Sequence, residues 1–442
     1  MAVTLGIDIG TTKVAAVIYD TDNETILDCA SQNTKADIPT EKWRSEQNVE
    51  KILNAIDSLM LSLDRENKKR ISAIGVTGQM HGVLLWNKNE AGNLITWKDK
   101  RASKLNILKE IIKISGAEEL KDGFGVTTLT CLVREDKLGK WTHASTIHDY
   151  LVYKICGLEK AVTDPSDAAS WGAFDIVNKK WNFAAIKNLG IPEHFFPSIA
   201  NGKAGNLSKE FAQKWTLPEN SPVAVPLGDN QASILCTSAE PDDEIYLTIG
   251  TGAQLTVVME KETVRELKSE STMDIRPYID NKCLAVAAPL CGGQAFAWLV
   301  DVVQHWQKEL GLPELPEDKL FRKLDALGME HLDAKLDIKP NFIGERYNPE
   351  LSGEISNIDL KNFTLGEVSA ALARGIVDNM KQMMPEKLFA NKKLVVGSGN
   401  AVRRLKIVQK MIKREFNLPL KIKDRKEEAA TGAAILAEKI KN

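Results

Sequence analysis

GIDIGTTK, residues 6–13, sets a carboxylate, Asp8, inside an apolar strand-like run (Val3, Leu5, Ile7, Ile9) and then turns through a glycine, two threonines and a lysine. A tight Gly–Thr turn between strands exposes consecutive backbone N–H groups, the hydroxyls add donors, and such a turn cradles anions. Gly10 lets a phosphate approach where a Cβ would clash. Asp8, at the strand end, can hold Mg²⁺ directly or through water, since Mg²⁺ favours carboxylate oxygens and retained waters. Lys13 can offset phosphate charge. The plainer reading is an ordinary hairpin turn with an edge-facing aspartate, and one D-x-G-T-T stretch does not separate the two.

Outward from that turn, residues 3–9, 13–20 and 24–31 read as short strands, parted by GTTK and by the turn-forming Asp20–Asn23. From Val49 the period becomes helical: Val49, Ile52, Leu53, Ile56, Leu59, Met60 and Leu63 share a face, with Asn48 as cap. ISAIGVTG, residues 71–78, reads as a buried strand. The order then recurs. EIYLTIGTGAQLTVVME (244–260) repeats strand, glycine–threonine turn, strand, CLAVAAP (283–289) supplies a third strand, and a helix runs from about Gly293 to Leu310. A helical face (Val368, Leu372, Ile376, Met380), strand LVVGSG (394–399), a helix near 401–415, strand LKIKD (420–424) and a closing helix from Glu427 follow.

A repeat of this size predicts two related α/β domains, residues 1–240 and 241–442, with Pro241–Asp243 as linker. Residues 260–280 and 312–340 are charged and weakly periodic and are expected to be surface insertions. The second turn, IGTG (249–252), strengthens the phosphate reading of the first, because two such turns in a duplicated frame can hold one nucleotide from both sides of a cleft. VVGSGN (395–400) is a third glycine cluster at the start of a helix, which suits a purine or ribose and equally suits a routine strand-to-helix turn.

The totals exclude several classes. The chain has 442 residues, 43% apolar and 27% charged, with net charge −2, so no basic field points to nucleic acid or an anionic membrane. The cluster Lys421, Lys423, Arg425 and Lys426 reads as a solvated face. Six cysteines without a C-x-x-C pair suggest buried thiols in a reducing compartment. No apolar run approaches the ~20 residues a membrane helix needs. His143 and His148 are five apart and show no ligand spacing, so a transition-metal site is not expected. A cytoplasmic, enzyme-sized protein is the expectation, with no nucleic acid or membrane partner and a homodimer as the assembly left open.

These landmarks together resemble the FGGY carbohydrate kinases, which share the actin-like (ribonuclease H-like) ATPase fold. GIDIGTTK looks like the family's first phosphate motif and SEQN (45–48) its E-Q segment. GVTGQMHGVLLW (75–86) and TWKDKRAS (96–103) look like sugar-facing segments, followed in order by TDPSDAAS (163–170) and PLGDNQAS (226–233). IGTGAQL resembles the second phosphate motif, CGGQAFAWLVD (291–301) the nucleotide-side helix, VVGSGN the adenosine motif and EEAATGAAILA (427–437) the closing helix. The match runs nearly end to end. GQMHG separates ketose kinases from glycerol kinases, and together with TWKDKR and FIGERYNP (342–349) it is most similar to kinases of a seven-carbon ketose, with five-carbon ketose kinases close behind. One departure is AVRRLKIVQ after the adenosine glycines, where family members often carry an asparagine facing the purine. Gly399 and Asn400 therefore carry more weight than residues beyond them.

The resemblance implies a sugar-binding N-terminal domain, a nucleotide-binding C-terminal domain, and ATP with Mg²⁺ as cofactors. It makes Asp229 the catalytic base that takes a proton from the sugar's terminal hydroxyl as the phosphoryl group transfers. Without it, Asp229 would read first as a helix cap. Gln79, Met80 and His81 lie between buried segments, where polar groups need partners, and sugar hydroxyls could supply them. Core packing is the plainer account of each. Trp97 offers a flat face to sugar C–H groups, and Asp99 and Arg101 can orient hydroxyls, or form a loop ion pair. Asp164 and Asn230 are placed in the same pocket. Gly10, Thr11, Thr12, Lys13, Gly250, Thr251 and Gly252 are assigned to the phosphates, Gly399 and Asn400 to the adenosine, and Asp8 to the metal, while Gly293 is placed at the border of the nucleotide, with a helix-start glycine as its plainer account. A sugar-independent ATPase of the same fold would share the paired turns without needing GQMHG and WKDKR. A dinucleotide-dependent dehydrogenase would need G-x-G-x-x-G after the first strand, which is absent.

Overall fold

The computed structural model describes residues 3–238, 240–267, 272–345, 347–348, 350–423 and 426–440. Arg346 and Pro349 of the FIGERYNP stretch, Arg425 of the basic cluster, and residues 268–271 lie outside the described residues. The chain forms two compact units: Met1–Thr237 with Arg425–Asn442, and Ser238–Asp424.

The first unit is built on a seven-stranded sheet. Its path runs Lys203–Asn206, Pro222–Ala224, Ile71–Gly78, Val3–Ile9, Lys13–Asp20, Thr25–Asn33, and Leu227–Gly228 also pairs with Ile71–Gly78. Val3–Ile9 is antiparallel to Lys13–Asp20 and parallel to Ile71–Gly78. Side chains alternate faces along a strand, and here both faces are covered. Val3, Leu5, Ile7 and Ile9 join Ile52, Ile56 and Met60 of the Val49–Ser62 helix in one core. That helix starts at Asn48, whose side chain accepts from Lys51 N. On the other face, Ala15, Val17 and Tyr19 meet Ala430 and Ala434 of the closing helix, Glu428–Glu438.

This second face explains why the domain boundary read from the repeat differs from the structure. The closing helix lies directly on the sheet backbone. A Cβ at Gly6 would stand 1.8 Å from Ala430 O, and one at Gly75 would stand 1.9 Å from Ala433 O. Two glycines inside strands thus make room for a helix that returns from the far end of the chain. A smaller sheet, Glu46–Gln47, Ala91–Ile95, Val83–Trp86 and His143–Ser145, adjoins a separate aromatic core with Trp171, Trp181 and Phe196.

The second unit repeats the topology. Glu244–Ile249 is antiparallel to Ala253–Glu260, which is antiparallel to Lys282–Ala287. Glu244–Ile249 also runs parallel to Leu394–Ser398, and Leu394–Ser398 to Leu420–Ile422. The helices Gly293–Glu309, Leu365–Gln382 and Lys406–Phe416 follow where helical periodicity predicts them.

The expected surface insertions are corrected by the structure. Residues 274–277 add an edge strand to the sheet. Glu317–Met329 is a helix that buries Leu320 and Leu324 and packs on the Leu365–Gln382 helix. Its apolar positions are few and its polar face is wide, which hid the period. All six cysteines are free thiols, four buried and Cys29 and Cys156 half-buried. No helix among the described residues is long and apolar enough to cross a membrane.

Candidate active site

In the first unit, three strand ends bring candidate residues together. Asp8 pairs with Thr77 across Val3–Ile9 and Ile71–Gly78. Leu227 pairs with the same Thr77 from the other side, and Thr77 Oγ1 donates to Leu227 O at 2.7 Å. Asp229 follows two residues on, opening the Asp229–Thr237 helix. The register therefore carries Asp8 and Asp229 to one edge of the sheet. Burial, then the negative charges of Asp229 and Glu427, push the Asp8 carboxyl up to about 8. Its Oδ1 is buried without a hydrogen-bond partner. Converging carboxylates of this kind are relieved by a divalent cation, so the donor set fits Mg²⁺.

The Gly10–Lys13 turn sits above them. Thr11 is the hub of a polar chain: Trp97 Nε1 donates to its Oγ1 at 3.0 Å, its Oγ1 donates to Gln79 Oε1 at 3.3 Å, and Gln47 Nε2 donates to its carbonyl at 2.6 Å. Gln79 Nε2 donates to Gln47 Oε1, which closes the chain. Gln79 is buried, and the Trp97 ring is 42% exposed. Thr12 is exposed. Lys13, assigned to phosphate by sequence, forms an ion pair with Glu427 at 2.7 Å.

Met80 packs beneath Gly228, where a Cβ would meet its sulfur at 2.5 Å. His81 adopts a left-handed backbone (φ 71°), its Nδ1 lies 2.6 Å from Ser170 O, and its ring stacks on Phe124. Asp99 is fully buried. It receives Arg101 Nε at 2.7 Å and Nη2 at 3.0 Å, and the Ser45 N–H at 3.1 Å. Arg101 also reaches Glu46 at 3.3 Å. The pair forms the loop ion pair of the plainer account and also braces Ser45 and Glu46. Asp164 caps the Pro165–Ser170 helix, accepting from Ser166 N.

Sequence reasoning missed the groups behind Asp229. His148 Nε2 lies 2.7 Å from Asp167 Oδ2, and both side chains are fully buried. Asp149 is buried beside them, and ligand-type atoms of the three lie within 4.8 Å of one another. Burial pushes Asp149 up to about 7. Ser166 Oγ accepts the Gly228 N–H at 3.4 Å, so the TDPSDAAS segment grips the residue before Asp229. The available signal was the second aspartate of that segment, Asp167, passed over in favour of Asp164.

In the second unit, the IGTG turn is clamped by the residues that open the Gly293–Glu309 helix. Gly293 N donates to Gly250 O at 2.8 Å, while Gly292 N and Gln294 N both donate to Thr251 O at 3.1 Å. A Cβ at Gly292 would lie 2.3 Å from Gly252 O, and one at Gly293 would lie 2.3 Å from Gly250 O. Gly399 has φ 89°, and a Cβ there would fall 2.4 Å from Ile249 O, so both geometry and space require glycine. Gly250, Thr251, Gly293, Asn400 and Ala401 border a cavity of about 710 Å³. That size suits a nucleotide. Its remaining wall includes Phe321, Asp325, Arg404 and Leu405. Phe321 and Asp325 belong to the segment read as an insertion, and Arg404 and Leu405 to the departure beyond the adenosine motif.

The model of the N-terminal domain of the FGGY family of carbohydrate kinases matches residues 3–236. Sedoheptulokinase from Homo sapiens is 31% identical over 468 residues, covering 98% of this chain and 97% of that protein. A xylulose kinase from Staphylococcus xylosus is 21% identical, covering 99% of this chain and 90% of its own. The crystal structure of a gluconate kinase from Lactobacillus acidophilus superposes with a TM-score of 0.81 at 19% identity, over 99% of this chain and 89% of that one.

Proposed function

We infer the acceptor from one premise: the chain belongs to the FGGY family of carbohydrate kinases. It transfers a phosphoryl group from ATP to a sugar. The sugar is sedoheptulose, phosphorylated on its terminal hydroxyl to the 7-phosphate. The observation that carries this choice is the 31% identity to a sedoheptulokinase along almost the whole of both chains. The second reading is xylulose, favoured by the xylulose kinase that this chain also spans, at the lower identity of 21%.

The geometry of each unit supports the following roles. In the first unit, Asp229 accepts the proton of the attacking hydroxyl. Its place at a strand end beside Asp8, braced by Gly228 and Ser166, supports that role. The exposed Trp97 ring receives sugar C–H groups, and Gln79, His81, Asp164 and Asn230 orient hydroxyls. Met80 shapes the floor beneath Gly228. Asp99 and Arg101 act indirectly, by holding Ser45 and Glu46. Gly10, Thr11, Thr12 and Lys13 form this unit's phosphate turn, with Glu427 as the counter-ion that Lys13 leaves when phosphate takes its place. Asp8 holds Mg²⁺, which when bound supplies positive charge for the polyphosphate. In the second unit, Gly250, Thr251 and Gly252 hold phosphate, and Gly293, Gly399 and Asn400 border the adenosine, which enters the cavity walled by Phe321.

The test is a coupled assay of the purified enzyme with ATP and a panel of ketoses: sedoheptulose, xylulose, ribulose and fructose. The highest kcat/KM is expected with sedoheptulose. A higher value with xylulose selects the second reading, and ADP production unchanged by any ketose removes both.

A further inference from the structure

We propose that Glu345 is a positioning residue for the phosphates of ATP, acting through residues 289–294 on the Gly250–Gly252 turn. This rests on the reading of that turn and its cavity as the nucleotide site. Glu345 is 2% exposed. A buried carboxylate persists only where donors replace its water, and here the donors come from two directions. Asn341 Nδ2, at 3.1 Å, and Asn379 Nδ2, at 3.0 Å, both donate to Oε1. The Leu290 N–H donates to Oε2 at 3.1 Å. Asn379 lies on the long Leu365–Gln382 helix, and the backbone of Glu345 is fixed by paired bonds with Asn348 at 3.0 and 3.1 Å. The carboxylate therefore ties a loop to the unit's rigid interior.

What the loop does gives the tie its consequence. Two residues beyond Leu290, Gly292 N donates to Thr251 O, Gly293 N to Gly250 O and Gln294 N to Thr251 O. The Ala253 N–H, on the far side of the turn, donates to Pro289 O at 3.4 Å. Residues 289–294 thus hold the phosphate turn from both ends. The contact has no slack, because even a Cβ at Gly292 would reach within 2.3 Å of Gly252 O. Loss of the Glu345 acceptor leaves the Leu290 N–H and two asparagine amides without their partner. Movement of the loop to find another partner displaces the turn with it. Cys291, between these groups, takes no part: burial, then the Glu345 charge, push its thiol up to about 11.

Glutamine can replace the carboxylate if its Oε1 faces Leu290 and its amide nitrogen faces the two asparagines, whose own amides then turn over to accept. The test uses the full-length Glu345→Ala, Glu345→Gln and Glu345→Asp variants with Gly293→Ala as control. Steady-state kinetics in both substrates and thermal melting are the readouts. Glu345→Ala is expected to raise KM for ATP about 10- to 100-fold while KM for the sugar stays within about twofold, and Glu345→Gln to restore most of the loss. A folded Glu345→Ala enzyme with unchanged KM for ATP overturns the proposal, as does an equal rise in both KM values with a lowered Tm. Should Glu345→Ala fail to fold, Glu345→Asp decides: one methylene shorter, it withdraws the acceptor from Leu290, and an unchanged KM for ATP again overturns the proposal. Gly293→Ala separates the two levels. If that variant leaves KM for ATP unchanged, the nucleotide reading itself fails. If it raises KM while the Glu345 variants do not, only the role of Glu345 fails.

Discussion

His148 Nε2 and Asp167 Oδ2 share a 2.7 Å hydrogen bond inside the first unit, with neither side chain exposed to solvent. Burial lowers the pKa of His148. Burial, then the charges of Asp164 and Asp229, raise that of Asp167 well above its ordinary value. Both shifts favour neutral partners around a single proton. Asp167→Asn copies the donor and acceptor of a protonated acid and is expected to cost less than about 1 kcal/mol, whereas Asp167→Ala, which opens a cavity and strands Nε2, costs about 2–4 kcal/mol. Urea unfolding of the two variants at neutral pH measures the difference, and equal losses would rule out the shared-proton account.

Asp229 occupies the first turn of its helix, and its charge acts on the buried Asp8 carboxyl. Asp229→Asn retains the shape while removing the proposed base. Its kcat is expected to fall about 100- to 10,000-fold, the usual contribution of a positioned proton acceptor. KM for ATP, which reports on the second unit's cavity, is expected to stay within about twofold of wild type because Asn introduces no steric change. Turnover near the wild-type rate would remove Asp229 from the chemistry.

Much of this was readable from residues alone, and the omissions have physical causes. GIDIGTTK and EIYLTIGTGAQL declare themselves because a carboxylate or a Gly–Thr turn interrupts a continuous apolar run, and both proved to be paired hairpins in matching sheets. The helices at Val49–Ser62 and Gly293–Glu309 show through their period. The wall formed by Phe321 and Asp325 does not, because its helix buries a narrow apolar stripe among many charges. The return of the closing helix to the first unit is invisible to local pattern. It rests on contacts between residues hundreds apart, such as Gly6 with Ala430 and Gly75 with Ala433. Lys13 and Asp99 carry charges that sequence leaves open between ligands and neighbouring residues, and the fold pairs them with Glu427 and Arg101. A charge alone does not state its partner.

The packing of the closing helix yields a sign-discriminating test. Replacing a glycine inside a strand with alanine ordinarily helps slightly, by restricting the unfolded chain. At Gly75 the new Cβ would stand 1.9 Å from Ala433 O, a backbone atom that cannot step aside alone. Gly75→Ala is therefore expected to destabilise the first unit by about 3 kcal/mol, at the upper end of overpacking costs. Chemical denaturation followed by tryptophan fluorescence measures this, and a neutral or stabilising result would contradict the close seating of the helix.

In the second unit, Asp378 supplies a pH dependence whose direction can be worked out. Burial, then the neighbouring Glu415 charge, push its carboxyl from an ordinary value of 3.8 up to about 6, against the opposing pull of Arg374 and Lys381. Below both values each state is protonated and nothing is lost. Between them the unfolded chain has released its proton while the folded unit still holds one, so stability falls as pH rises from about 4 to about 6 and then levels off. Asp378→Asn removes the titration. Because the side chain is only half-buried, the gain is discounted to about 1–2 kcal/mol above pH ~6, shrinking toward zero near pH ~4. Urea midpoints of wild type and Asp378→Asn across that range provide the check. A constant gap between the two curves would show that the carboxyl keeps its ordinary proton affinity in the folded unit.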